Sequence, residues 1–280
     1  MGKLFRAFFF KLSKDLTFRI TMIIGLALAV VLSLIFFGID VLASEGGTIE
    51  HNMATGQSMF FNSISPAQNF GIAIPINLIT FTVLEFTQGT IRNKIITGNS
   101  KTKIYFALFF SGLIFTMSLL IAYVGLCVAL GSIFGGFDIN GTIIGFSSLG
   151  GRINAEYFVR MLIVTLLVYL FITSFTIFFA TLFRNIGPCI PVVIIVIMMS
   201  YFAGMIASLM KEAEGTEIFV TIMKYINPMY ALNDASIIDS IRGTLTMADD
   251  TFLAAIINNS VYTIIFLLGG WLIFRKRDVK

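Results

Sequence analysis

Few side chains in this 280-residue chain could do covalent chemistry. His51 is the only histidine, and it lies in a polar stretch between two apolar runs, where a Ser/His dyad has no helix to sit on. Cys127 and Cys189 both fall inside apolar runs, so they read as small buried hydrophobes and not as a disulfide or a metal pair. No H-E-x-x-H and no Cys/His cluster with metal-ligand spacing is present. Gly98-Asn99-Ser100-Lys101-Thr102 shares letters with a phosphate-binding loop, but its Lys does not follow a Gly and no strand precedes it. Ser148-Leu149-Gly150-Gly151-Arg152 bears a faint likeness to an ATPase signature on the wrong side of the membrane. The chain is therefore expected to be no enzyme and to hold no metal or cofactor.

The residues that carry a more specific signal are Glu85-Phe86-Thr87-Gln88-Gly89-Thr90-Ile91-Arg92-Asn93-Lys94-Ile95-Ile96-Thr97-Gly98. A helix over 89–97 places Ile91 and Ile95 on one face, with Arg92, Asn93 and Lys94 on the remainder. Gly98 suits the left-handed position that closes a helix, and Asn99 or Ser100 suits the cap that opens the next one. The expected product is a short helix held between two membrane spans, with an exposed side both apolar and basic, shaped to dock a soluble partner.

The elements around it follow from composition. The chain is 57% hydrophobic and 12% charged, with a mean hydropathy of +0.94; a soluble domain carries about 25% charged residues. Six stretches are long enough for helices that cross a bilayer. The expected fold is an all-α polytopic membrane protein, one domain over 1–280, with spans at 20–39, 67–86, 103–134, 157–183, 188–210 and 255–274. An amphipathic helix over 1–19 is expected at the interface, and no secretory signal peptide or myristoylation signal is expected. Short re-entrant helices are expected within 211–255, on the apolar face of Ile218, Phe219, Ile222, Met223 and Ile226, ended by Asn227-Pro228. The glycine-rich run 131–151 reads as an external hairpin, and its Gly131-x-x-x-Gly135 and Gly141-x-x-x-Gly145 could be packing faces.

Charge orients the chain. Fourteen of the 19 Lys and Arg lie in the first 19 residues, 85–103, 184–187 and the C-terminal tail, whereas 12 of the 15 acidic residues lie in the alternate connections. Both termini are thus expected in the cytoplasm. The net charge of +4 is a topology signal and gives no nucleic-acid patch. Few ionisable residues fall within spans, which disfavours a proton- or ion-coupled carrier.

Glu85-x-x-x-Gly89-Thr90-Ile91-Arg92-Asn93-Lys94, Gly98-x-Ser100-Lys101 and Ile104-Tyr105 together resemble the coupling-helix region of type-2 ABC transporter permeases, the ABC-2 membrane subunits of bacterial exporters. The basic N-terminal helix, the six spans, Asn227-Pro228-Met229-Tyr230 before the last span and the ending Phe274-Arg275-Lys276-Arg277-Asp278 agree with that layout. One departure is that such permeases often carry a Lys or Arg one turn into span three, and 106–110 has none, which leaves the subfamily and substrate open. The resemblance implies a bacterial plasma-membrane protein whose coupling residues are Glu85, Gly89, Thr90, Ile91, Arg92, Asn93, Lys94, Ile95 and Gly98. It implies cytoplasmic ABC ATPase subunits, with ATP and Mg on that partner, and a second permease copy or paralogue as a dimer. In the family, spans two and five face the pathway, which here implies Asn77, Thr80, Thr82, Met198, Met199, Tyr201 and Met205. The implied cargo is an amphipathic or hydrophobic molecule, with an antimicrobial or toxin-like peptide as first choice and a drug or lipid as others. The alternatives are an ATP-independent carrier or channel, an intramembrane enzyme, and a membrane scaffold.

Overall fold

The computed structural model describes residues 2–45, 53–64, 72–138, 142–145, 148–152, 155–211, 213, 215–233, 238–239, 244–245 and 247–277. The helices are α1 (Gly2–Lys14), α2 (Leu16–Glu45), α3 (Gly56–Ile64), α4 (Ala73–Thr87), α5 (Thr90–Ile96), α6 (Lys101–Gly135), α7 (Ala155–Phe183), α8 (Ile186–Leu209), α9 (Glu217–Ile226), α10 (Tyr230–Asn233) and α11 (Asp249–Lys276). Five of them, α2, α6, α7, α8 and α11, are long and apolar enough to cross a membrane. This is the construction of a multi-pass membrane protein. α4 is also apolar but has only 15 residues, about 22 Å of rise.

The fold is helical, but not purely so. The strands β1 (Thr142–Gly145), β2 (Ser148–Arg152), β3 (Ile238–Asp239) and β4 (Thr244–Leu245) form a small sheet in the order β1-β2-β4-β3. The expected hairpin is the β1–β2 pair; its union with β3 and β4 is not written in local pattern.

Both chain ends lie at one end of the bundle. The Lys101 ammonium, in the first turn of α6, donates to the carbonyls of Arg275 (3.2 Å) and Arg277 (2.9 Å) at the close of α11. A cation there neutralises the negative pole of the α11 dipole. Lys11 of α1 reaches the last turn of α4. We call this the basic end. The stripe of α1 that is buried is Leu4, Phe8 and Leu12, at i, i+4 and i+8, so the helix is docked on the bundle by its apolar face while Arg6, Phe10 and Lys14 stay exposed.

The stretch 53–64, expected as polar loop, contains a buried helix instead. α3 lies antiparallel against the far part of α6, where glycines let it approach. A Cβ at Gly131 would come 2.6 Å from Met59 Cγ, and one at Gly135 would come 3.0 Å from the Ala54 carbonyl. Its polar residues are satisfied locally: Thr55 Oγ1 bonds Ser58 Oγ at 2.9 Å, Ser63 bonds the Phe60 carbonyl at 3.0 Å, and Gln57 accepts from the Asp138 N–H at 3.2 Å. The expected span 67–86 is therefore served by α4 alone over its described part, with 65–71 outside the described residues.

At the far end, α9 runs back along α8 and α11 with no residue of its own buried, and leads to α10, whose Tyr230 and Ala231 are buried. The Asn227 side chain donates to the Ser200 carbonyl at 2.6 Å, and Asn259 of α11 donates to the Pro228 carbonyl at 3.0 Å. Ser200 is roughly nine residues, or about 14 Å of rise, inward from the end of α8. Tyr262 O–H and Asn258 hold the last turn of α9 through the carbonyls of Ile226 (2.9 Å) and Lys224 (3.1 Å).

Gly204 permits this approach, since a Cβ there would lie 2.9 Å from Asn233 Nδ2 and 3.2 Å from Asn227 Nδ2. Gly125 faces open space. Gly204→Ala is expected to cost about 1–3 kcal/mol by overpacking and to lower the thermal midpoint of the purified protein. Gly125→Ala is expected to leave that midpoint unchanged or raise it. A Gly204→Ala protein as stable as wild type contradicts the fit described.

Candidate functional site

The basic end is organised around a carboxylate. Glu85 sits in the last turn of α4 with 0% side-chain exposure, and its two oxygens take two ammoniums: Lys11 on Oε1 at 2.7 Å and Lys94 on Oε2 at 2.9 Å. A buried charge is tolerated only when it is paired and hydrogen-bonded. Two cations to one anion leave a positive surplus, and the surroundings absorb it. The Lys94 ammonium lies 3.1 Å from the centroid of the Phe8 ring, whose π-face attracts a cation. Lys11 is 39% exposed and also meets Gln88 Oε1 at 3.2 Å and Thr90 Oγ1 at 3.5 Å. Burial holds the Lys94 ammonium below the ordinary lysine range, against the pull of Glu85 in the other direction. The clamp therefore joins α1, α4 and α5 through side chains far apart in sequence.

α5 is bounded by two left-handed glycines. Gly89 has φ 66°; its N–H closes α4 on the Phe86 carbonyl (3.2 Å) while its own carbonyl accepts the Asn93 N–H (3.0 Å) that opens α5. One residue thus ends one helix and starts the next, at a φ that glycine adopts without strain. At the other end Gly98 has φ 87°, its N–H bonds the Ile95 carbonyl at 2.9 Å, and the Asn99 N–H bonds the Lys94 carbonyl at 3.3 Å. This pair of bonds is the Schellman closure. Ser100 then caps α6, accepting from the Lys103 N–H at 3.4 Å. Gly98 and Ser100 act as their sequence positions predicted.

The exposed face of α5 differs from the one expected. Ile91 is 0% exposed and belongs to the core, and Ile95 packs half-buried against it. Together with Lys94, 16% exposed at its side chain, these residues face the bundle. The free surface holds Arg92, Asn93, Thr97 and, above all, Ile96 at 72% exposure. The surface is still apolar and basic, but its apolar residue is Ile96, which the sequence reading passed over. The i, i+4 spacing of Arg92 and Ile96 was the available signal. Of the residues assigned to coupling, Glu85, Gly89, Thr90, Ile91, Lys94, Ile95 and Gly98 build the helix and hold it. Arg92 and Asn93 are presented outward.

Beside the clamp, Arg184 links α7 to α8 in a left-handed conformation (φ 52°) and lies 4.8 Å from the Phe86 ring centroid. Burial, and then Arg277 nearby, lower its proton affinity from the ordinary arginine value. Phe86 in turn packs edge-on against Phe274 of α11, at 5.8 Å.

The structure does not gather the pathway residues into one lining. Asn77 accepts from Thr21 Oγ1 of α2 at 3.0 Å, and Asn77 and Thr80 line a narrow cleft with Asp15, Phe18, Phe81 and Phe115. Thr82 is buried. On α8, Met199 and Met205 are exposed and Met198 and Tyr201 are half-buried; none of these four lines that cleft. Cys127 and Cys189 are both buried and unbridged, and His51 lies outside the described residues. Among the described residues no three His, Cys, Asp or Glu side chains are grouped to hold a metal ion.

Residues 48–280 match the family described as "Protein of unknown function (DUF2705)", and the chain belongs to that family. No curated protein and no solved structure matches it.

Removing the clamp carboxylate leaves two facing ammoniums. Glu85→Gln is expected to destabilise the basic end by about 2–3 kcal/mol, below the ~3–5 kcal/mol of a fully buried pair because Lys11 is partly solvated. Limited trypsin digestion should then cut at Lys11 and Lys14 several-fold faster than in wild type. An unchanged digestion rate contradicts a holding role for Glu85.

Proposed function

We propose that this chain is the membrane subunit of an ATP-driven ABC exporter of the ABC-2 type, with α5 as the helix that a separate cytoplasmic ATPase grips. The observation that carries the reading is the rigidly bounded α5, offering Ile96 and Arg92 to solvent from a base clamped by Glu85. A single exposed Ile is ordinary on a protein surface; what supports docking is that this one is held beside Arg92 on a helix whose two ends are fixed. The complementary surface is a groove with an apolar floor for Ile96 and carboxylates for Arg92, to which the charge adds steering and the burial adds affinity.

In this reading α4 serves as the sixth crossing, which returns the chain to the basic end in the cytoplasm of a bacterial cell. Two copies, or one copy with a paralogue, enclose the pathway. The outward face of α8, with Met199, Phe202, Met205, Ile206 and Leu209 exposed, supplies an adaptable apolar surface for an amphipathic cargo, a peptide before a drug or lipid. A proton- or ion-coupled carrier keeps ionisable groups within its spans; the buried carboxylate here lies at the end of α4 and is paired in place.

The test is co-expression with the cytoplasmic ABC ATPases of the same cell, followed by affinity purification. Wild type should retain the ATPase. Arg92→Glu with Ile96→Asp should lower recovery about tenfold or more while membrane insertion is unchanged, since losing an anchor and reversing a charge removes more than 1.4 kcal/mol. Ile95→Ser, which loosens the base but leaves the tip, should have the smaller effect. Equal recovery with the double variant overturns the proposal.

A further inference from the structure

α1 carries two columns of side chains on opposite faces. Leu4, Phe8 and Leu12 are buried against the bundle, and Phe8 packs edge-on against Phe81 of α4 at 6.5 Å. Arg6, Phe10 and Lys14 repeat the same i, i+4, i+8 spacing on the outward face and are exposed. Phe10 is 63% exposed, and the Lys14 ammonium lies 5.8 Å from its ring centroid. Arg19, just past the break into α2, is also exposed and donates to the Ser13 carbonyl at 3.4 Å. Among the described residues no carboxylate pairs with Arg6, Lys14 or Arg19. The nearby acid, Asp15, accepts the Thr17 N–H at 2.8 Å and opens α2, while Lys11 is taken by Glu85.

The outward column leads into an apolar stripe. Leu16 opens α2 at 70% exposure, and Ile20, Ile23 and Ile24 follow it on the same side, all exposed. α2 is long and apolar enough to cross a membrane, so this stripe meets acyl chains and its first turn lies near the headgroups. α1 joins α2 at that level. The apolar face that an interfacial helix would turn to lipid is docked on protein instead. What α1 turns outward is a ring flanked by two unpaired cations. An aromatic side chain there sits at the acyl boundary while long basic side chains reach the phosphates. A net-neutral headgroup offers the surplus charge no counter-charge; an anionic one does. A free phosphate would leave Phe10 in water, so the chemistry that fits the whole column is that of a lipid.

We infer that the outward face of α1 is a docking surface for anionic phospholipid. The headgroup phosphate pairs with Arg6 and Lys14, Arg19 widens the positive surface, and Phe10 enters the acyl boundary beside them. α1 is thereby held between the bundle on one face and the leaflet on the other. The inference rests on the membrane crossing of α2 and not on the coupling reading of α5.

Native mass spectrometry of the full-length protein, released from nanodiscs of equal parts phosphatidylglycerol and phosphatidylcholine, tests it. Wild type should retain phosphatidylglycerol in preference. Arg6→Gln with Lys14→Gln should lower that preference about tenfold or more, since each cation near an anionic surface is worth about fivefold. Arg6→Lys with Lys14→Arg keeps the charge and should keep the preference. Arg275→Gln with Lys276→Gln removes the same charge at the close of α11 and should leave the preference unchanged. All four side chains are exposed, so the variants should melt with wild type in phosphatidylcholine alone. An unchanged preference in the Arg6 and Lys14 variant, or an equal loss in the Arg275 and Lys276 variant, overturns the inference. Loss of a co-purified ATPase from the Arg6 and Lys14 variant with the lipid preference kept also overturns it, and assigns the face to a protein.

Discussion

A single buried carboxylate fixes the basic end. Glu85 cannot be exposed, because α4 is buried on nearly every side, and it cannot remain charged there without cations. Lys94 comes from seven residues of helix that are too short to be stable by themselves. Lys11 comes from an amphipathic helix whose apolar face is docked on the bundle through Leu4, Phe8 and Leu12, and the ion pair ties it to α4. Both elements, docked by their apolar residues, are joined to α4 through the same anion. The surplus positive charge is met by the face of Phe8 and by the side-chain oxygens of Gln88 and Thr90.

The opposite end is held by a different chemistry. Where α9 gives way to α10, the side chains that tie the turn to the long helices are neutral amides: Asn227 bonds the Ser200 carbonyl within α8, and Asn258 and Asn259 of α11 bond the carbonyls of Lys224 and Pro228. An amide satisfies such a carbonyl without bringing an unpaired charge to depth, where the cost is far higher. Ion pairs appear nearer the surface, between Lys224 and Asp250 and among Arg160, Glu156 and Asp249. Charge at the ends and amides at the folds is the division a low-dielectric surrounding imposes.

Much of the scaffold was legible because lipid makes composition decisive: long apolar runs must be helices, and five of the expected spans correspond to α2, α6, α7, α8 and α11. Gly89, Gly98 and Ser100 gave the bounds of α5 because left-handed backbone and helix caps have few residue choices. The inward face of α5 was not legible, since Ile91, Ile95 and Ile96 are equally apolar and only tertiary packing decides which is covered. α3 was missed because Gln57, Ser58, Asn62 and Ser63 read as loop; Gln57, Ser58 and Ser63 prove to be buried, with bonds from Thr55 and Asp138 and to the Phe60 carbonyl. The Gly131-x-x-x-Gly135 signal was present but gave no partner, and the partner is α3. The reach of Lys11 to Glu85 spans 74 residues and leaves no trace in local periodicity.

The central claim is that the clamped α5 offers Ile96, and not its buried neighbours, to a cytoplasmic ATPase. A photocrosslinking amino acid placed singly at position 96, and at position 91 for contrast, tests this most directly in cells that make both proteins. The account predicts an adduct of permease and ATPase at 96, none at 91, and a weakened adduct at 96 when Glu85 is replaced by Gln. Absence of an ATPase adduct at 96 in a properly inserted protein, or an equal adduct at 91, would contradict it.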